Sequence, residues 1–196
     1  MIDNSDAARQ LAEITGHAFA DDPFNSWVFD TRMAMETVFQ AEARHIYLPR
    51  GRTEIIDNKA AMMWLQPGTS KDLSLFAGMT LLGRLLRHGG TRTVRRALQA
   101  ARALRDAFPD EPVTYLYTIA VRPTAQGEGL GGHLMRRFVA DCHAAGSAGW
   151  LESSNPGNHG FYRSFGFETR DVITIAPGAP PMELMCRPAT PSGSPV

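Results

Sequence analysis

A chain of 196 residues with 43% apolar content is long enough to bury a core of its own, so nothing requires disulfides or a metal to hold it together. Its 20 Lys and Arg balance 20 Asp and Glu, which excludes a net electrostatic pull toward nucleic acid or an anionic membrane, and neither is expected as a partner. The two cysteines, Cys142 and Cys186, are too few for a cysteine zinc cluster and point to free thiols in a reducing compartment; no metal is expected.

The first helical pattern runs from Asp6 to Phe19, with Ala7, Leu11, Ile14 and Ala18 at helical spacing and Ser5 as its N-cap. Asp21-Asp22-Pro23 breaks it, and Met33 to Leu48 reads as a second helix with Met35, Val38, Phe39, Ala43 and Ile46 facing inward. The short apolar runs Thr53 to Asp57 and Ala60 to Leu65 flank the turn-forming pair Asp57-Asn58 and predict a hairpin that ends at Pro67-Gly68. Two further helices are predicted over Leu73 to Arg87 and Thr91 to Phe108, parted by Gly89-Gly90. The second places Val94, Leu98, Ala101 and Leu104 on one face and Arg92, Arg95, Arg96, Arg102 and Arg105 on the other. Without interleaved aromatics to stack bases, those arginines read as a solvated face, and the helical pair as a wall of the site or a dimer contact. No stretch is an uninterrupted membrane span: the longest apolar run, Leu73 to Leu86, contains Arg84. The start, Met-Ile-Asp-Asn-Ser-Asp, has no basic or apolar signal character, so a cytoplasmic location is expected.

Val113 to Val121 is a strand that runs into Arg122-Pro123-Thr124-Ala125-Gln126 and then a glycine-rich turn, Gly127, Gly129, Gly131 and Gly132. Glycines there leave no Cβ in the way, so consecutive N–H groups converge on an anion at the positive end of the helix that follows. Gly127-x-Gly129-x-x-Gly132 formally satisfies the dinucleotide-binding pattern, with Glu152 downstream. However, the first glycine does not come directly off the strand, and too few residues remain for a βαβαβ unit. No Gly-Lys-Ser or Gly-Lys-Thr closes the loop, which removes the nucleotide-hydrolysing P-loop. Leu130, Leu134, Phe138 and Cys142 recur every fourth residue on the following helix and form a core stripe. Trp150 to Ser153 is the next strand, Val172 to Ile175 and Pro181 to Arg187 are the last two, and residues 188–196 form a Pro/Ser-rich tail expected to be disordered. Residues 1–187 are expected to be a single domain, and no internal repeat is present.

Gln126-x-x-Gly129-x-Gly131 after an apolar strand resembles the acyl-CoA pyrophosphate loop of the GNAT superfamily of N-acetyltransferases. The stretch Asn155-Pro156-Gly157-Asn158-His159-Gly160-Phe161-Tyr162, ending in Gly166-Phe167, resembles that superfamily's later motif. Ala18-Phe19-Ala20-Asp21-Asp22-Pro23 and Leu151-Glu152-Ser153-Ser154 are similar to the puromycin N-acetyltransferase-like branch. The resemblance implies an α/β fold: a mixed, mostly antiparallel twisted sheet with helices on both faces and a central splayed cleft. It also implies acetyl-CoA as cosubstrate and a direct transfer of acetyl to the primary amine of a small molecule, an aminonucleoside or other antibiotic, by a monomer or homodimer. Two other readings stay open: a non-catalytic acyl-CoA-binding module, and a protein lysine or N-terminal acetyltransferase.

Carried over residue by residue, the backbone of Ile119, Ala120 and Val121 is expected to hold the pantetheine arm. Gln126, Gly127, Glu128, Gly129, Leu130, Gly131 and Gly132 take the pyrophosphate, and Asn158 contacts the coenzyme or caps the short helix. Tyr162 occupies the position of the general acid, where a phenol can donate to the leaving sulfur. The attacking amine needs a base, for which Glu152 is the candidate; it can equally bind the amine, relay through water or pair with an arginine. His159 is a weaker base candidate, more commonly solvated in a loop. Tyr115 and Tyr117 point one or both hydroxyls toward the cleft, and Asp21, Asp22 and Trp27 suit a cationic, partly aromatic acceptor. Acceptor-binding residues are therefore expected to be Asp22, Trp27, Tyr117 and Glu152. Neither cysteine lies in a setting suited to a covalent intermediate.

Overall fold

A computed structural model describes residues 4–189, so the tail expected over 188–196 falls, from residue 190 on, outside the described residues. Helix α1 (Asn4–Ala18) buries Ala8, Leu11 and Ile14 on the face its spacing predicts. The Asp-Asp-Pro segment does more than stop it. Asp22 accepts a hydrogen bond from the Asn25 N–H at 2.8 Å and Pro23 takes the first helical position, so the same residues that end α1 start a short helix, α2 (Pro23–Val28). Helix α3 (Arg32–Glu42) is capped by Thr31 and continues through one π-helical turn (Ala43–Tyr47) into Leu48–Arg50. The wider turn carries Ile46 and Tyr47 inward while Arg44 and His45 stay exposed.

Strands β1 (Arg52–Ile56) and β2 (Ala60–Leu65) form the expected hairpin. Asp57 and Asn58 both adopt positive φ, as a tight turn matching the strand twist requires. Helix α4 (Leu75–Asp106) comprises the two expected helices, parted by a kink at Gly90, whose φ 72° and ψ −174° are not helical. In the second half Thr93 and Ala100 are buried and Val94, Ala97 and Leu104 pack partly buried against the core, while Leu98 and Ala101, expected inside, face out. Strand β3 (Thr114–Val121), helix α5 (Leu130–Ala145), strand β4 (Gly149–Ser153) and short helix α6 (His159–Arg163) follow in the expected order. Strand β5 (Glu168–Ile173) starts earlier than expected, and β6 (Met182–Arg187) closes the sheet. The start of β5 carries no apolar alternation to read: it is an exposed edge strand held by backbone pairing to β6.

The sheet order is β1-β2-β3-β4-β6-β5, antiparallel except between β3 and β4. One core, with Leu11, Ile14, Phe39, Ile46, Tyr115 and Trp150, lies between the sheet and the N-terminal helices. The other, with Leu134, Phe138, Leu151, Tyr162 and Phe167, lies under α5 and α6. This is the α/β, mostly antiparallel open sheet with helices on both faces that the resemblance implies. Two departures from regularity open it in the middle. β3 and β4 pair only over Thr114–Leu116 and Gly149–Leu151, and beyond Leu116 no β4 residue pairs with β3. Register shifts between Met63 and Trp64 of β2, which face Thr118 and Leu116, so Tyr117 is the extra residue of a bulge. In consequence Tyr115 and Tyr117 both face the N-terminal helices, whereas Ile119 and Val121 pack on the α5 side.

Candidate active site

The wedge between β3 and β4 opens where Tyr117 and Glu152 stand, and it collects residues from both sides of the sheet. On its donor side, the β3 segment after Leu116 is covered by β2 along one edge only: Ala60, Ala61 and Met62 pair with Val121, Ala120 and Ile119. The edge toward β4 is left for an extended amide chain to add as a strand. The backbone of the glycine loop then turns under it. Gly127 (φ 87°) and Gly129 (φ 79°) are left-handed, and a Cβ at either would meet nothing within 4 Å, so the loop is open to a ligand rather than packed shut. Gly129 is the N-cap of α5 and supplies no side-chain cap, so the amides of Leu130, Gly131 and Gly132 in the first turn have no intrahelical acceptor. Gly131 passes close to Val121 and Phe161, where a Cβ would lie 3.7 Å from each side chain. The Gln126 side chain is exposed, and Glu128 is engaged by Lys59 Nζ at 2.8 Å, which keeps its carboxylate from acting as a lone negative charge at the loop. A phosphate-bearing ligand fits this cradle by the donors it offers.

Tyr162 projects from α6 into the wedge. It is buried, its ring packs edge-on against Phe161 (5.4 Å) and Phe167 (6.3 Å), and its hydroxyl has no hydrogen-bond partner among the described residues. Burial first, and then the negative Asp22, raise its pKa well above the ordinary phenol value, so it stays protonated. Asp22 is itself buried: its second oxygen accepts from the Ser154 hydroxyl at 2.6 Å, tying α2 to the end of β4. Asn158 is exposed and makes no side-chain cap; the neighbouring Asn155 does the capping, accepting from the Gly157 N–H at 2.9 Å. His159 is drawn away toward Glu183 on β6, with its Nδ1 against the carboxylate.

On the opposite side of the wedge lies an aromatic room. Tyr47 stacks on Tyr117 with centroids 4.8 Å apart and rings 5° from parallel; Tyr117 also meets Phe39 at 6.1 Å, and Phe108 meets Tyr115 edge-on at 5.2 Å. Two carboxyls face it. Glu152 accepts from the Tyr115 hydroxyl at 2.6 Å and from the Trp150 indole N–H at 3.4 Å, and burial pushes its pKa up against the lowering effects of Lys71 and those donors. Glu42, at the end of α3, is hydrogen-bonded to Tyr117, and burial raises its carboxyl to about 7. Burial also holds the Lys71 ammonium below the usual lysine range, opposed by the attraction of Glu152 and Glu42. Trp27 lies outside this group: the Arg96 guanidinium sits over its ring at 4.3 Å and donates to its carbonyl at 2.6 Å.

Sequence reading did not single out Glu42, Tyr47 or Lys71. Glu42 and Tyr47 lie in or beside a helical stripe and read as surface and core, and Lys71 sits in an unpatterned connection. Tyr47 lies in the π turn, Glu42 just before it and Lys71 in the β2–α4 connection, so it is the packing of distant segments that brings them near Glu152. Cys142 is buried, its thiol pushed up to about 12, and so is no nucleophile at neutral pH. Among the described residues no group of three or more His, Cys, Asp or Glu could hold a metal, and no helix is long and apolar enough to cross a membrane.

Residues 98–167, which span β3, the glycine loop, α5, β4 and α6, match the model of the acetyltransferase (GNAT) family. Among solved structures, the chain is similar to a Corynebacterium glutamicum protein described as histone acetyltransferase HPA2 and related acetyltransferase. They share 22% identity over 94% of this chain and 93% of that one, with a TM-score of 0.68. Arylalkylamine N-acetyltransferase 2 from Aedes aegypti is 14% identical over 94% and 96% of the two chains, with a TM-score of 0.58. Drosophila melanogaster polyamine N-acetyltransferase, which forms N-acetylagmatine, is 13% identical over 94% and 96%, with a TM-score of 0.57. The family match falls on the strand, loop and helices that build the wedge, and the sheet is splayed between β3 and β4 within that matched segment, so the chain shares this fold and resembles the acetyltransferase (GNAT) family there.

Proposed function

We propose that residues 1–187 act as one domain that moves the acetyl group of acetyl-CoA to the primary amine of a small molecule by direct attack. The observation that carries this reading is the meeting, at one splayed strand pair, of an open phosphate cradle, a protonated Tyr162 and two carboxyls in an aromatic room. The thioester supplies the activated acetyl group: the amine nitrogen forms the new C–N bond as the C–S bond breaks. The chain's residues position the partners and move protons. Backbone groups of Ile119 to Val121 align the amide-rich arm, and the amides from Gln126 to Gly132 take the pyrophosphate. Glu42 takes the proton the ammonium must lose, since a carboxyl raised to about 7 is half deprotonated at neutral pH and still basic enough to accept. Glu152 holds the amine in place and shares the proton load through Tyr115. Tyr162 donates to the departing sulfur. The aromatic lining suits an amine carried on an apolar or aromatic body, and puromycin is the first antibiotic to offer it. The amine acetyltransferases among the fold neighbours set the wider panel.

Calorimetric titration with acetyl-CoA, with NADH as the control ligand, tests the coenzyme. The native protein should bind acetyl-CoA and not NADH, and Gly129→Glu should abolish binding, because the new side chain would put both a strained φ and a carboxylate in the cradle. No binding to the native protein overturns the transferase reading; binding justifies screening amines for CoA release.

A further inference from the structure

We propose that Lys71 is a resident cation in the acceptor's ammonium seat, and that the acceptor is an alkylammonium compound that displaces it. The proposal rests on the transferase reading and deepens it, naming the substrate's chemical class and a residue that sets it. Lys71 lies in the connection between β2 and α4, whose backbone is held by Arg50 donating to the Asp72 carbonyl at 2.8 Å and by Ser70 accepting from the Asp72 N–H at 3.1 Å. From there its side chain reaches back over the aromatic room. The ammonium sits 3.6 Å from the centroid of Phe108 and 5.1 Å from that of Tyr115, the residue whose hydroxyl donates to Glu152.

Two features make this a seat rather than a structural anchor. First, among the described residues the Lys71 ammonium makes no close ion pair; Glu152 and Glu42 act on it only at longer range. Ring faces therefore hold it, and such an attraction is modest enough for a competing cation to replace. Second, Lys71, Phe108 and Tyr115 line one cavity of about 290 Å³ together with Leu65 and Val113, which gives a displaced lysine and a ligand room beside each other. The room also holds the carboxyls of Glu42 and Glu152, so a cation that takes the place of Lys71 keeps a charge balance that a neutral ligand would lose. What displaces Lys71 must present what Lys71 presents: a protonated amine on a slim aliphatic arm. A neutral or anionic acceptor gains nothing from the exchange.

n-Butylammonium, which carries the same four carbons and ammonium as the lysine side chain, is the probe, and n-butanol its neutral control. In the acetyl-CoA-saturated native protein, the Lys71 side-chain resonances, shielded by the Phe108 ring, should move downfield as n-butylammonium is added. In Lys71→Met, the apparent Kd for n-butylammonium, read from the Trp150 indole N–H shift, should fall about tenfold, with no comparable change for n-butanol. Unmoved Lys71 resonances, an unchanged Kd in the variant, or an equal gain for n-butanol would overturn the proposal. The native-protein titration does not depend on the variant's folding. Acetyl-CoA affinity measured on the same samples separates the two readings: its absence strikes the transferase assignment and this one with it, whereas intact acetyl-CoA binding with no displacement strikes Lys71 alone.

Discussion

The surroundings of Tyr162 suit the donor role proposed for it. Its ring is fixed between Phe161 and Phe167, yet its hydroxyl has no partner among the described residues, and both burial and Asp22 keep the proton on it. A hydroxyl that makes no hydrogen bond within the protein contributes little to the fold, so Tyr162→Phe should change stability by less than about 1 kcal/mol. Turnover should nonetheless fall by about two orders of magnitude, the span that loss of a positioned acid accounts for, with acetyl-CoA affinity nearly unchanged. Steady-state kinetics beside calorimetry decides this. Equal turnover of variant and native enzyme across the pH range would remove Tyr162 as the acid. Asp22, by contrast, is fully employed: it caps α2 with one oxygen and holds Ser154 with the other. Asp22→Ala should cost about 2 kcal/mol in chemical denaturation, from the lost cap and the orphaned Ser154 hydroxyl, whereas Asp22→Asn should retain most of it.

At the scale of elements, what was legible in the chain was local. The hairpin at Asp57-Asn58, the glycine loop and the Leu130 to Cys142 stripe all follow from residues a few positions apart, and the structure carries them where the spacing puts them. Helix α2 was hidden because Asp-Asp-Pro is both a stop and a start signal, and the Asn25 amide that makes it a start lies inside the turn it creates. The face of the second half of α4 was half right: Val94 and Leu104 pack inward, but small residues, Thr93 and Ala100, make the buried contacts while Leu98 faces out. β5 was misplaced because an edge strand needs backbone partners more than apolar alternation. Half of the candidate site shares this origin. Tyr117 and Glu152 could be picked out on their strands, but Glu42, Tyr47 and Lys71 reach the wedge through a π turn and a connection whose effect depends on the sheet they pack against.

For the molecule as a whole, a site that keeps a carboxyl half-protonated has a thermodynamic signature. Glu42 has its folded pKa raised to about 7 from 4.5, because burial disfavours the charged form more than the Tyr117 hydrogen bond and Lys71 favour it. The folded state therefore holds a proton that the unfolded chain has already released between those two values. By linkage, stability from this group is fully present below pH 4.5 and is lost as pH rises through about 7. The loss amounts to about 3 kcal/mol if the group acts alone. Glu152 shifts in the same direction and adds to the slope. Catalysis runs the other way, since Glu42 accepts a proton only when it has none, so kcat/KM should rise with unit slope up to about pH 7 as stability falls. Glu42→Gln separates the two: neutral at every pH and able to keep the Tyr117 bond, it should flatten the stability profile between pH 5 and 8 while lowering kcat/KM on the alkaline side. Urea melts across that range, read beside the pH–rate profile, make the comparison. A variant that keeps the native slope in both would place the titrating group elsewhere in the wedge, with Glu152 the remaining carboxyl able to carry it.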